Sequence, residues 1–178
     1  NHPGELEKDY HFYGEIVDLE DIQLGFLLHD ALGKPWSLTD ARIWYTNAQV
    51  SPEELGRIRN HHKIGHERLH ENKEKMPMLD LHQVVYDIVL HHHEKLNGIG
   101  PENETVESLS HVVQVAAVID QVVSRCQPSP YWSQRFTIKS ALVEISRKSG
   151  TEYNPEVVEN MHGIFSQNAH MELSGLRW

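Results

Sequence analysis

A run of apolar residues, Val84-Val85-Tyr86-Asp87-Ile88-Val89-Leu90, ends in His91-His92-His93-Glu94 and then breaks into Asn97, Gly98, Gly100 and Pro101. On a helix each residue turns by about 100°. With the wheel centred on Leu81, Val85 and Ile88, His92 falls on the buried line, and His91 and His93 lie to either side. An inward imidazole at the end of a buried helix must find a partner. Two adjacent inward histidines diverge, so they suit two neighbouring metal ions better than one. Two-metal hydrolytic sites hold their ions about 3.5–4 Å apart. The rest of the chain therefore has to supply a core around this helix and further ligands at its end.

The chain has the means to build that core. It has 178 residues, 39% of them hydrophobic, which predicts a single folded domain over 1–178. The formal charge of −10 argues against nucleic acid as a partner, because phosphate backbones demand a basic footprint. An acidic chain still accepts a small phosphorylated ligand when metal ions carry the positive charge locally. Cys126 is the single cysteine, so no intrachain disulfide forms and a thiolate zinc site is disfavoured. No apolar run approaches a membrane span and no signal peptide is visible, so the reading is cytoplasmic, with no membrane partner. The 14 histidines are scattered along the chain, not gathered in a terminal tag.

Taken in order, residues 1–18 carry a short polar helical pattern, and Asp18 or Asp21 is placed to cap the next helix. That helix puts Ile22, Phe26 and His29 on one face, with Asp30 leaning the same way. Gly33, Lys34 and Pro35 end it. Residues 36–51 are irregular. Ser51-Pro52-Glu53-Glu54 is a helix start, with Ser as cap, Pro in the first position and acids in the first turn. Leu55, Ile58, His61 or His62, Gly65 and Leu69 then recur at helical spacing, and periodicity does not choose between the two histidines. His66 and His70 read as solvated. Met76-Pro77 breaks the pattern and Leu79 opens the helix described above. Val106 to Val123 is an apolar helix with Asp120 in its stripe, where a carboxylate is costly unless paired or bound to a cation. Residues 133–149 form a further amphipathic helix, and Asn154-Pro155-Glu156 starts the last one. Nothing reads as a strand. The expectation is an all-α bundle of six to eight helices.

Four helices thus each turn a His or an Asp inward: His29 with Asp30, His61 or His62, the His91–His93 end, and Asp120. Imidazole and carboxylate donors suit Fe, Mn, Zn or Ni. Helical bundles build two-metal cores from such facing side chains, and a two-metal core makes hydroxide at neutral pH and polarises a phosphoryl oxygen. The residues point to metal-assisted hydrolysis of a phosphoester.

The order of these elements resembles the HD-GYP family of the HD phosphohydrolases. The resemblance runs through Leu27-Leu28-His29-Asp30 with Gly33-Lys34, Ser51-Pro52-Glu53-Glu54 to His61 and Gly65, His92-His93-Glu94-Lys95, Asn97-Gly98 and Gly100-Pro101. It ends with Val118-Ile119-Asp120 and Gly150-Thr151-Glu152-Tyr153-Asn154-Pro155, and so spans residues 20–162. It implies an all-α fold and hydrolysis of cyclic di-GMP through a metal-bridging hydroxide. The implied ligands are His29, Asp30, His61, His92, His93 and Asp120, holding two divalent ions, Fe or Mn before Zn or Ni. Asp30 and Lys34 are the implied catalytic residues. Lys34, Lys95, Gly98, Gly100 and Arg135 are the implied substrate contacts.

The chain also departs from the family. One extra residue separates His29-Asp30 from Gly33-Lys34. Gly100 runs directly into Pro101, without the tyrosine of the Gly-Tyr-Pro signature. Lys95, Asn97 and Ser129 stand where Arg, Asp and Arg are usual. The family's first ligand helix has no clean counterpart, and His2 and His11 are the candidates for its histidine. These departures leave a receptor that binds cyclic di-GMP without cutting it, or a hydrolase of another nucleotide, as alternatives. Regulation would then come from a protein partner.

Overall fold

The computed structural model describes residues 10–12, 15–34, 50–75, 81–105, 108–127 and 136–167. The described chain is all-α apart from one small hairpin. Strand β1 (Tyr10–Phe12) pairs antiparallel with β2 (Glu15–Val17), with Tyr10 opposite Val17. This corrects the helical pattern expected for residues 1–18 where those residues are described: Tyr10–Phe12 and Glu15–Val17 are strands, and Val17 is drawn into the core.

Seven helices follow among the described residues: α1 (Leu19–Ala31), α2 (Pro52–Arg59), α3 (His61–Lys75), α4 (Gln83–His91), α5 (His111–Cys126), α6 (Ile138–Ser146) and α7 (Pro155–Gln167). Their starts follow local chemistry. Ser51 caps α2 in a full capping box with Glu54, and Pro52 occupies the first turn. Ser110 caps α5 and Thr137 caps α6 through backbone N–H groups three residues on. Asp18 occupies the cap position of α1 but makes no side-chain cap bond.

Four expected boundaries move. The helical spacing through Leu55 and Leu69 is split at Asn60, so α2 and α3 are separate helices. Helix α4 starts at Gln83, where the His82 side chain accepts the Val84 N–H, and not at Leu79. Helix α5 starts at His111 and α6 at Ile138, both later than the apolar pattern alone indicated. At α4, α5 and α6 a side-chain cap fixes the start more firmly than hydrophobic spacing does. Among the described residues no helix is long and apolar enough to cross a membrane.

The core has two parts. Helix α4 is its axis: Val84, Val85, Ile88 and Val89 are fully enclosed, and Tyr86 nearly so. Helices α1, α3 and α5 pack around α4. Each such aliphatic side chain contributes roughly 1.5–3 kcal/mol when buried. The second part joins Val118 and Val122 of α5 to Leu142 and Ile145 of α6 and Val157, Val158 and Met161 of α7. Helix α5 therefore belongs to both parts, and Asp120 sits in its stretch between Val118 and Val122 of the second.

Candidate metal centre

The C-terminal ends of α1 and α4, the N-terminal end of α3 and the middle of α5 converge. At that point six donor side chains form two triplets, His61, His92 and His93 in one and His29, Asp30 and Asp120 in the other. Within each triplet one donor atom from every residue lies within 4.8 Å of the others.

The first triplet is all imidazole. His61 Nδ1 lies 2.6 Å from the Ile58 carbonyl, and His92 Nδ1 lies 3.0 Å from the carbonyls of Ile88 and Val89. A carbonyl only accepts, so each Nδ1 donates to it and turns Nε2 outward. These Nε2 atoms face each other: His61 Nε2 is 3.2 Å from His92 Nε2 and 3.1 Å from His93 Nε2. Burial pushes His92 well below the usual imidazole range, helped by His93, His29 and His61 around it. Burial likewise brings His93 to about 4, against the pull of Asp120. Converging imidazole nitrogens of this kind fit a cation between them.

The second triplet is charged. His29 Nδ1 lies 2.5 Å from the Phe26 carbonyl, which aims Nε2 at the carboxylates of Asp30 and Asp120, 3.6 Å from each. Burial lowers the His29 pKa, but the hydrogen bond to Asp120 and the charges of both carboxylates outweigh it, and the net shift is upward. Asp30 is pulled the other way from burial by the His61 hydrogen bond and the Lys34 and His29 charges, and lies well below the carboxylate range. Asp120 is buried, and its Oδ2 has no hydrogen-bond partner. An anionic oxygen left bare in the interior is costly, and a bound cation removes that cost. The donors therefore fit divalent metal.

The two triplets share their carboxylates. Asp30 turns Oδ1 to His61 Nε2 at 3.0 Å and Oδ2 to His29. Asp120 turns Oδ1 to His29 and Oδ2 to His93 Nδ1 at 3.5 Å. Each carboxylate thus reaches both triplets.

The HD domain family matches residues 4–124 of the chain. The chain belongs to the HD domain family. No curated protein matches it. Among solved structures, this HD domain is similar to Bd1817, a HDG"Y"P protein from Bdellovibrio bacteriovorus, with a TM-score of 0.61 and 17% identity. The match covers 83% of this chain and 44% of that one, so the chain spans less than half of that structure's length.

The HD domain positions its donors with small residues and one buried acid. A Cβ on Gly33 would run into the His61 carbonyl, so only glycine lets the end of α1 close on the start of α3. A Cβ on Gly25 would lie 2.6 Å from Ile88 Cδ1, so this glycine lets α1 lie close along α4. Glu94 was not among the residues expected at the site. It is almost wholly buried and accepts the backbone N–H groups of Glu102 at 2.7 Å and Glu104 at 2.8 Å. A Cβ on Gly100 would strike this carboxylate, and Gly98 takes φ +70° to make the turn. Glu94 is thus the anchor of the 97–104 loop. Glu102 in that loop meets His62 Nε2 and Lys63 Nζ, both at 3.0 Å. The fully buried His62, which periodicity did not separate from His61, therefore faces the loop.

The expected substrate residues fall in different places. Lys34 forms an ion pair with Asp30 beside the second triplet. Lys95 pairs with Glu152 at 2.8 Å, which also holds Lys148. Gly98 and Gly100 shape the anchored loop. Arg135 and His2 lie outside the described residues, and of His11 only the backbone, in β1, is described.

Proposed function

We propose that this HD domain is a metal-dependent phosphohydrolase whose substrate is cyclic di-GMP. The observation that carries the reading is the pair of donor triplets joined through Asp30 and Asp120. In this reading His61, His92 and His93 would hold one divalent ion and His29, Asp30 and Asp120 the other, with both aspartates within reach of either triplet. Iron or manganese fits the mixed imidazole and carboxylate set, ahead of zinc or nickel. Two such ions would supply Lewis acidity toward a phosphoryl oxygen and make water acidic enough to act at neutral pH.

The chain's own residues do the rest. The backbone carbonyls of Phe26, Ile58 and Ile88 fix three rings with Nε2 turned into the site, so the donors are preorganised and lose little freedom on binding. Lys34 offsets negative charge developing on the phosphoryl group. The loop anchored by Glu94 borders the substrate. The test is direct: purified protein is analysed for metal, then supplied with manganese or iron and cyclic di-GMP. Turnover to a linear dinucleotide or GMP supports the reading; metal-replete protein without turnover sinks it.

A second reading has its own observation. Of the two expected substrate lysines, Lys95 is drawn onto Glu152 and Lys34 onto Asp30, and the loop has no tyrosine. A domain of that kind keeps its metals and binds the nucleotide without cutting it. Calorimetric binding with no product by chromatography selects this receptor. Turnover of a different nucleotide in the same assay selects the third alternative.

A further inference from the structure

One turn into α3 beyond His61 and His62 the sequence reads His66-Glu67-Arg68-Leu69-His70. Residues four apart stack on one face of a helix. Leu69 goes into the core, and the two histidines lie side by side at its edge, His66 half-buried and His70 exposed. Their ring centroids are 4.5 Å apart and their Nε2 atoms 3.2 Å apart. Among the described residues, the hydrogen-bond partner of each ring is the other ring.

That distance has a chemical meaning. Two imidazoles on one zinc ion, with Zn–N of about 2.0–2.1 Å, place their nitrogens roughly 2.9 Å apart at a right angle and about 3.3 Å apart at the tetrahedral angle. The observed separation falls between them. It also equals the His61–His92 separation within the centre already described. The pair is braced as well. The ring of Tyr86, almost wholly buried, lies 4.9 Å from His70 and 6.2 Å from His66. Freely rotating surface histidines lack such a backing. Burial and the neighbouring His70 both lower the proton affinity of His66, while Asp87 and Glu67 raise it, and the net shift is downward. His66 is thus biased toward the neutral form that binds metal.

We propose that His66 and His70 form a second metal site, separate from the His/Asp centre, for an imidazole-preferring divalent ion of the zinc, nickel or copper type. The His-Glu-x-x-His spacing is the one by which a helix presents two histidines to zinc, with the glutamate as a hydrolytic base. Here no third His, Cys, Asp or Glu donor completes a cluster with the pair among the described residues. The remaining coordination positions go to water, and the site binds metal without the three protein ligands of a zinc hydrolase. The assignment does not depend on what the His/Asp centre hydrolyses.

The experiment uses zinc as the probe. Wild-type protein, His66→Ala, His70→Ala and the double variant are dialysed to equilibrium against graded Zn²⁺ and counted by elemental analysis. Spectra of protein labelled with ¹⁵N-histidine are recorded alongside. Wild type should bind a zinc equivalent that the double variant lacks, and each single variant should hold it roughly tenfold more weakly or worse, because one of two imidazole ligands is gone. The Nε2 resonances of His66 and His70 should move with that equivalent. Both side chains lie at the surface edge, so the variants should melt like wild type without metal. Equal zinc uptake in all four proteins, or unmoved Nε2 resonances, overturns the proposal. So does a double variant that loses every equivalent, since the pair would then only support the His/Asp centre.

Discussion

The two donor triplets sit side by side but are built on opposite principles. His61, His92 and His93 are all imidazole, and His61 and His92 are enclosed and oriented by carbonyls of their own helix or the helix just before. His29, Asp30 and Asp120 set one imidazole against two carboxylates, so that, beyond the Phe26 carbonyl on His29, their charges orient one another. In the first, local backbone geometry at each helix end sets the rings of His61 and His92, and the meeting of α3 with α4 brings them together. The second exists only when α1 and α5 come together, because Asp120 reaches His29 across ninety residues of sequence. Both triplets are assembled across helices and depend on the core beneath them, the second on the part where Gly25 lets α1 lie close along α4.

The largest effect should come from the residue that serves both. Asp30→Ala removes the oxygen facing His61 and the one facing His29 together. Loss of an outer-sphere partner costs a metal site roughly 10–100-fold, and loss of a shared donor should cost more. Metal analysis should show at least one ion gone and hydrolysis abolished, with far-UV circular dichroism close to wild type. Full metal content in this variant would reduce the His29-Asp30 pair to a cap at the end of α1.

A smaller, more local break separates His93 from His91. The helical wheel treats them alike, flanking His92. In the fold His93 Nε2 joins the imidazole triplet, while His91 Nδ1 is buried with no hydrogen-bond partner. His93→Ala should lower metal occupancy, and His91→Ala should leave it unchanged. Equal losses in the two variants would mean that the end of α4 is needed as a unit.

The triplets should also part on a pH axis in metal-free protein. His92 and His93 are held neutral in the fold, His93 with a pKa of about 4. The unfolded chain takes up protons on these rings near pH 6.5, so acid favours unfolding, and the stability they confer is lost as pH falls below that value. His29 has the opposite sign: its folded pKa is raised. Its contribution is full below its unfolded pKa and is lost as pH rises through the folded one. Thermal melts of chelator-treated protein should fall on both sides of about pH 6.5. His29→Ala should flatten the alkaline limb and leave the acid limb, and an unchanged profile in that variant would mean the charge on His29 does not contribute.

How much of this was visible in the sequence follows the same division. The helices and their inward His and Asp residues were legible, because a buried imidazole or carboxylate interrupts an apolar stripe and stands out. The choice of His61 over His62 was not, since both are buried, and the difference lies in what each ring meets: His92 and His93 for one, Glu102 for the other. Glu94 was illegible as an anchor. Its partners are backbone N–H groups eight and ten residues on, and backbone has no signature in side-chain spacing. The hairpin at Tyr10–Val17 was missed because a three-residue strand is too short for alternation to register.

The smallest effect on metal, and the sharpest on ligand, should come from the loop itself. Gly100 lies against the Glu94 carboxylate, and Glu102 and Glu104, just beyond Pro101, are held by it. A tyrosine inserted between Gly100 and Pro101 adds one residue between two fixed points, so the chain must bulge there. None of the six donors lies in this loop, and the helix ends that orient them precede it or follow it. Metal content should therefore stay at the wild-type value. The insertion adds an aromatic face, and stacking of one base on such a face is worth roughly 1–3 kcal/mol, or up to about a hundredfold in Kd. Affinity for cyclic di-GMP, or its turnover, should change within that range when measured by calorimetry and by product analysis on metal-replete protein. An insertion that strips the metals while the remaining holo fraction handles nucleotide as before would make the loop a support of the donors. The contact of Glu102 with His62, next to His61, would be the path for that support, and the substrate would then have to be sought nearer Lys34.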